Sequence, residues 1–395
     1  MSDSDFQQPT GVNVILKRHT AALSAVLMAV ALPLHAAGIT VYKGDNGEYV
    51  KLGGRIQIQY HRDDPDSGSS TDEVFFRRLR PYVEGSLYPD WKGKIQIDFG
   101  KADGDHEVAI EDAYMQYKGH ENMKVTFGNV KFPFSRESLT SSKKQQLVER
   151  TFVGDHNYGT PDRNIGLHLT GQSKGKRITW GASATSASID PDNKKLDFDT
   201  PVNRNDDFNE GWMFGGRVDF HPFGKLKFAQ GDFKGETKAT IGVAAFSWKN
   251  DDDNNTYDPG CTKKCDVDSV TGYEISGAFR SNGFSVDAEY NMFDTELTES
   301  GVTNGIYRNG QSDLKNWSIE GGYMVISNKL EIVAGYSSQD ADNYATEWTR
   351  TSLGANYFIK KHDIKIQATW RINEDENGVT GRDANEFFLQ TQYVF

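Results

Sequence analysis

The chain has 395 residues, and its 56 acidic against 44 basic side chains give a formal net charge of −12, which points away from nucleic acid as a partner. Apolar residues make up only 36%, while glycine (39) and aromatic residues (12%) are plentiful and prolines few (11). This argues against an ordinary soluble enzyme with a large core and suits a closed β-barrel whose lumen and loops are wet and whose outer face alone is apolar.

The chain starts with a polar lead. LKRH (16–19) then precedes an apolar run from 21 to 34, followed by Ala36 and Ala37. A basic segment, about 14 apolar residues and small residues at the end form the plan of a secretory signal. The expected signal covers 1–37, with cleavage after Ala36 or Ala37, and leaves a single domain over 38–395. The apolar run is shorter than the roughly 20 residues a membrane helix needs. Export makes Cys261 and Cys265 of CTKKC, the only two cysteines, a candidate loop disulfide. No histidine or further cysteine stands near enough to complete a metal site, and C-x-x-C-H is absent. No metal and no cofactor are expected.

From Val50 the chain falls into alternating runs. Leu52, Gly54, Ile56, Ile58 and Tyr60 share one face, and Lys51, Gly53, Arg55, Gln57 and Gln59 share the other, as side chains alternate across a strand. The pattern returns in VFFRRLRPYVEGSLY, KIQIDF, IEDAYMQY, KVTFGN, NIGLHL, RITWGASATS, MFGGRVDF, ATIGVAAFSW, YEISGAF, FSVDAEYNMF, WSIEGGYMVI, KLEIVAGY, TSLGANYF, IKIQATWRI and EFFLQTQYVF. That makes about sixteen strands, an even number as in bacterial outer-membrane barrels. The predicted fold class is all-β: a transmembrane antiparallel β-barrel in the outer membrane of a Gram-negative bacterium.

The connections alternate in length. YPDW, KGHENM, GQSKGK, SNG, SNK and KKHD are short; KADGDHE, 133–163, 187–210, 294–315, 338–349 and 373–385 are longer. Short periplasmic turns and long extracellular loops are the outer-membrane plan. One connection breaks the rule: 221–237 is longer than its place predicts. The negative surplus lies in loops such as DDPDSGSSTDE, NRNDDFNE and KNDDDNN, read as solvated tips facing acidic lipopolysaccharide across divalent cations. DDDNN lacks the glycine and distal glutamate of an EF-hand loop. Phe387, Leu389, Thr391, Tyr393 and Phe395 alternate to the end of the chain, a terminal pattern like that recognised by the barrel-assembly machinery.

The longest loop, with its flanks, reads FGNVKFPFSRESLTSSKKQQLVERTFVGDHNYGTPDRNIGLHL. Ser142 three residues before Gln145 forms a possible capping box, which predicts a helix start there. Composition leaves two readings open, an ordered insertion folded into the lumen and a flexible extracellular loop.

At this loop the sequence resembles the phosphate-selective porin O/P family. The resemblance is carried by FRRLRPYVEGSLYPDW (76–91), EDAYMQY (111–117), FGNVKFPFSRESLTSSKKQQLVER (127–150), HPFG (221–224), GFSVDAEY (283–290), LEIVAGYS (330–337) and LQTQYVF (389–395), and it covers roughly 48–395. It implies a homotrimer of sixteen-stranded porins, each narrowed by an inward-folded third loop and lined by arginines and lysines that select anions, phosphate or polyphosphate among them. The chain departs from the family where members often carry Arg before the Tyr of LEIVAGYS; here Gly335 stands. Many members also have a coiled-coil extension after the signal, where this chain offers about ten residues before its first strand.

Arginine or lysine on the lipid face near the midplane costs about 2–4 kcal/mol, so the apolar partners mark the outside. Leu79, Pro81, Val83, Gly85 and Leu87 share parity, which turns Arg78, Arg80, Tyr82, Glu84 and Ser86 to the lumen. Arg77 then has lipid-side parity and is expected at the extracellular end of its strand, near headgroups. The same rule sends Arg55, Lys94, Arg217, Arg280, Arg350, Lys365 and Arg371 inward. The third loop adds Arg136, Lys143, Lys144 and Arg150. Arginine offers phosphate a rigid, permanently charged fork, and conduction needs many moderate sites instead of one tight site. Glu84, Asp98, Asp112, Asp219, Glu274, Asp287, Glu289, Glu320 and Glu331 also have inward parity.

Parity thus leaves open a basic ladder for anions and the mixed-charge lumen of a general or cation-preferring porin. The resemblance favours the first, a passive channel for phosphate or related oxyanions. A barrel enzyme would need a nucleophile and a histidine set together; His156 and His168 have serines in the same loop region, but no motif joins them, and no catalysis is expected.

Overall fold

The computed structural model describes residues 38–100, 108–199, 209–251 and 260–395; the expected signal segment lies outside these. The described strands are β1 (Ile39–Lys43), β2 (Tyr49–Pro65), β3 (Thr71–Tyr88), β4 (Trp91–Asp98), β5 (Ala109–His120), β6 (Met123–Lys131), β7 (Arg163–Gln172), β8 (Ile178–Asp192) and β9 (Lys195–Asp199) in the first half. The second half holds β10 (Asn209–Phe220), β11 (Lys238–Asn250), β12 (Val267–Ser281), β13 (Phe284–Leu297), β14 (Gln311–Ile326), β15 (Leu330–Asp340), β16 (Trp348–Lys360), β17 (Ile364–Glu374) and β18 (Ala384–Val394).

Sixteen of them, β2–β8 and β10–β18, form one ring, each antiparallel to the next. The ring closes where β18 pairs with β2, Val394 opposite Arg55 and Ala384 opposite Pro65. A closed ring has no edge on which backbone groups would face lipid unpaired. The last residue finishes the seam: Phe395 and Gly54 exchange backbone hydrogen bonds of 3.0 and 2.9 Å. The remaining two strands are accessory. β1 continues the edge of β2 below β18, and β9 folds back on the tip of β8.

The alternation seen in the sequence sorts the wall. Val83, Ile95, Val243, Ile275 and Leu353 are exposed on the outside, while Gln57, Gln59, Arg78, Asn291 and Gln367 are buried within. The lumen is not evenly filled. On the side of β10–β14 an apolar cluster occupies its extracellular half, built from Phe132 and Phe134 of the third loop, Leu196 and Phe198 of β9, and Phe246, Trp248 and Phe293 of the wall. The rings meet edge-on or tilted, with Phe134 5.0 Å from Phe246 and 5.8 Å from Phe293, the geometry aromatic quadrupoles favour. Cys261 and Cys265 are joined as a disulfide, their Cα atoms 5.4 Å apart, and Cys265 is buried in this cluster. The open passage is therefore displaced towards the other side, against β2–β8, β16–β18 and the near edge of β10.

Candidate functional site

A cavity of about 1400 Å³ runs along that passage, its lining reaching from Lys195, Asp197 and Glu386 at the long-loop end to Gly171, Thr179 and Lys225 at the short-turn end. The third loop, residues 132–162, forms the opposite bank. It leaves β6 through Pro133, makes one helical turn over Arg136–Leu139 capped by the Ser135 hydroxyl, which accepts from Ser138 N at 3.0 Å, and then crosses to the wall.

The helix start expected at Ser142 does not form; Ser142–Lys144 is a single 3₁₀ turn and Gln145 is extended. The wall outcompetes the helix for these backbone groups. Lys365 Nζ donates to Gln145 O at 2.9 Å, Asn356 Nδ2 to Gln146 O at 2.9 Å, and Gln367 Nε2 to both carbonyls. Val148 N donates to Thr369 Oγ1 at 3.2 Å. Of the two readings open for this loop, the lumenal insertion is the one realised.

The glycine that departs from the family pattern belongs to this docking. A Cβ on Gly335 would lie 3.0 Å from Leu147 Cδ1, and one on Gly322 would run into the Gln146 side chain. Leu147 occupies the space that an inward side chain at 335 would need.

Apart from Lys144, the expected basic residues fall into three groups. The first is fully paired in the wall of the passage. Arg80 bonds Asp98 and Glu111, Lys94 bonds Asp112, and Arg217 bonds Asp219 and Glu274. The second lies behind the third loop or holds it. Arg136 donates to Asp287 at 2.9 Å and Arg280 to the same carboxylate, while Lys365 is spent on Gln145. Arg150 donates to the carbonyls of Ser138 and Thr140 at 3.3 and 3.1 Å. Near the long-loop end, Arg371 reaches Glu386 at 3.5 Å, and Arg350 sits over Phe152 and Trp348 with centroids at 4.0 and 4.5 Å.

The third group, Arg55, Arg78 and Lys143, lines the passage without a carboxylate partner among the described residues. Arg55 Nε and Nη1 and Arg78 Nε are buried with no hydrogen-bond partner. A relay of amides sets their height: Arg78 Nη1 donates to Gln57 Oε1 at 3.2 Å, Gln57 Nε2 to Gln392 Oε1 at 2.6 Å, and Gln392 Nε2 to Lys143 O at 3.0 Å. Burial, Arg55 and Lys144 together push the Lys143 ammonium below the usual lysine range. Burial and then Lys227 do the same to Lys144, which stands away from the open passage. Like charges are held together here, and a bound anion would relieve their repulsion.

Arg77 corrects the parity reading. Gln57 pairs with Arg78 but the next residue, Ile58, pairs with Phe76, so Arg77 is an extra residue in a β-bulge. Arg77 and Arg78 therefore both face inward, and Arg77 makes a two-pronged bond to Glu149 of the third loop, at 2.7 and 3.1 Å, instead of meeting headgroups. Burial alone would push the Glu149 carboxyl up, but Arg77 and Arg78 hold it below the usual carboxylate range. A second shift between Gln96 and Ile97 turns Glu111 inward beside Asp112, where Arg163 bonds both. Glu111, Glu149 and Arg163 were missed because parity cannot see a bulge and says nothing of loops.

His168 meets Ser183 Oγ at 2.7 Å, but its other ring nitrogen faces the backbone carbonyl of Asn164 at 3.1 Å, not a carboxylate that would orient a catalytic base.

Against known proteins, the family model described as "Phosphate-selective porin O and P" matches residues 50–395. Porin O of Pseudomonas aeruginosa is 32% identical over 117 residues, 29% of this chain and only 27% of that protein's length. An uncharacterised protein of Aquifex aeolicus is 24% identical over 381 residues, 88% of this chain and 86% of its own. Among solved structures, the outer-membrane channel DcaP of Acinetobacter baumannii superposes with a TM-score of 0.57 at 14% identity, covering 90% of this chain and all of that one. The anion-selective porin of Comamonas acidovorans gives 0.57 at 10% identity over 88% of this chain and all of its own. At such identities these two likenesses speak to the fold.

Proposed function

From the premise that the chain belongs to the phosphate-selective porin O and P family, which makes it an outer-membrane diffusion channel, we propose that it is anion-selective and passes phosphate or related oxyanions. The observation that carries this is the bare cluster of Arg55, Arg78 and Lys143, set around the passage while the other expected cations that line it are neutralised or turned to structural work. Net charge enters little, because selectivity depends on what lines the narrowest section. The carboxylates Asp98, Glu111 and Asp112 border the same passage, but each is already matched by Arg80, Arg163 or Lys94. An anion entering the bare cluster meets three cations without a carboxylate partner, whose donors replace part of its own hydration shell. Two guanidiniums present planar forks suited to phosphate oxygens, and the relay through Gln57 and Gln392 keeps Lys143 level with them.

A trimer of such channels, and substrate size up to polyphosphate, belong to the same proposal by family membership. Reversal potentials in a salt gradient across a planar bilayer test the selectivity. We expect anions to be favoured, and millimolar phosphate to block chloride current. A permeability ratio favouring cations would sink the anion reading, and chloride current unchanged by phosphate would sink the oxyanion refinement.

A further inference from the structure

The connection that broke the loop rule, residues 221–237 between β10 and β11, enters the lumen from the short-turn, periplasmic end. Its root is fastened to the wall. Asp232 accepts from Gly235 N at 2.9 Å and, through its other oxygen, from Gly283 N in the β12–β13 turn at 2.8 Å. Phe233 wedges between Phe358 and His362, each with ring centroids 4.8 Å away. Gly231, at φ +75°, lets the chain double back beside Glu331.

At the apex stands Gln230, 2% exposed, with its backbone and side-chain polar groups all engaged. Its N–H donates to Lys144 O at 3.0 Å, and its Oε1 accepts from Gln146 N at 2.6 Å. Its Nε2 donates to Glu320 of β14, and its carbonyl accepts from His362 Nε2 at 2.9 Å. One residue thus ties the third loop, the β14 wall and the β16–β17 turn together. Nearby, Ala229 O accepts from Arg280 at 2.9 Å and Lys227 O from Arg136 at 3.4 Å, so the segment also touches the arginines that anchor the start of the third loop.

We propose that residues 221–237 are a latch that clamps the third loop from the periplasmic side, and that Gln230, by holding Lys144 O and Gln146 N, is the positioning residue that fixes the neighbouring Lys143 beside Arg55 and Arg78. The wall grips Gln145 and Gln146 by their carbonyls, whereas the latch grips the same stretch by Lys144 O and Gln146 N. The loop is held from both sides and cannot lift off either without breaking the other set. The latch acts on any permeant ion, so it stands or falls separately from the anion reading.

The test uses the full-length channel. Gln230→Met keeps length and bulk and removes the side-chain hydrogen bonds. Hydrogen exchange on the detergent-solubilised protein should show the amides of 144–148 exchanging about tenfold faster or more, with β4 and β5 unchanged. In planar bilayers the variant should conduct more and more noisily, with its permeability ratio nearer unity. Exchange over 144–148 and conductance both equal to wild type would overturn the latch. Should the variant fail to fold, wild-type protein still decides: the amides of Gln146 and Gln230 must exchange as one cooperative unit, and unrelated rates refute the proposal. A wild-type channel that prefers cations would defeat the anion reading and leave these results untouched.

Discussion

Arg78 and Arg80 lie two residues apart on one strand face, and the structure gives them different roles. Arg78 Nη1 touches only the neutral Gln57 amide, whereas Arg80 is neutralised by Asp98 and Glu111. An anion about 4 Å from a guanidinium gains about 1 kcal/mol in water and about 4 kcal/mol at an effective dielectric of 20. A wet lumen lies nearer the first value, and about 1.4 kcal/mol is a factor of ten. Arg78→Gln should therefore lower the anion-to-cation permeability ratio by about five- to tenfold. The matched control removes a whole ion pair, Arg80→Gln with Asp98→Asn, and leaves the net charge of the lumen unchanged. Glu111 keeps Arg163 at 2.7 Å in that variant, so no carboxylate is left bare. Its permeability ratio should stay within about twofold of wild type. Reversal potentials of the two variants and wild type, measured in the same gradient, decide the matter. A double variant that shifts selectivity as far as Arg78→Gln would refute the distinction between bare and paired arginines.

Three further outcomes follow from the third loop. Glu149→Gln breaks the two-pronged bond to Arg77, and should cost about 1–3 kcal/mol in denaturant unfolding while making the channel more anion-selective, because a negative charge leaves the lumen. Glu137 is buried beneath Thr151, and burial pushes its carboxyl up to about 7 from 4.5. Between those values the folded chain binds a proton that the unfolded chain has released, so this group's contribution to stability is complete below about 4.5 and is lost as pH rises to about 7. The unfolding midpoint should fall over that window, and Glu137→Gln should flatten the fall. Gly335→Arg restores the family's common residue but meets Leu147; it should cost about 1–3 kcal/mol and raise conductance as the loop is displaced, whereas unchanged conductance would refute the packing account.

The wall was legible in the sequence because a strand that faces lipid on one side and water on the other must alternate. That is why Arg55, Arg78, Arg80 and Arg217 could be turned inward from residue order alone. Arg77 and Glu111 were not legible, since one inserted residue reverses parity and leaves no local mark. Which cations are bare was also hidden. Arg80 meets Asp98 and Glu111 through pairings across three strands, and the path of the third loop is set by carbonyl partners some two hundred residues away, such as Lys365 for Gln145. The length of 221–237 marked it as exceptional, but only its contacts with Lys144 and Gln146 show why it is long.

The seam between β2 and β18 has a consequence for assembly. Its members meet only when the end of the chain arrives, and Gln57 and Gln392 lie 335 positions apart, a costly loop to close. The third loop bridges that seam from within: Glu149 holds Arg77 on β3, and Lys143 O takes Gln392 of β18 across a shorter separation of 249. The last strand thus finds a docking site on a segment made in the first half of the chain. The loop that narrows the pore is also a strap between the strands on either side of the seam that shuts the cylinder.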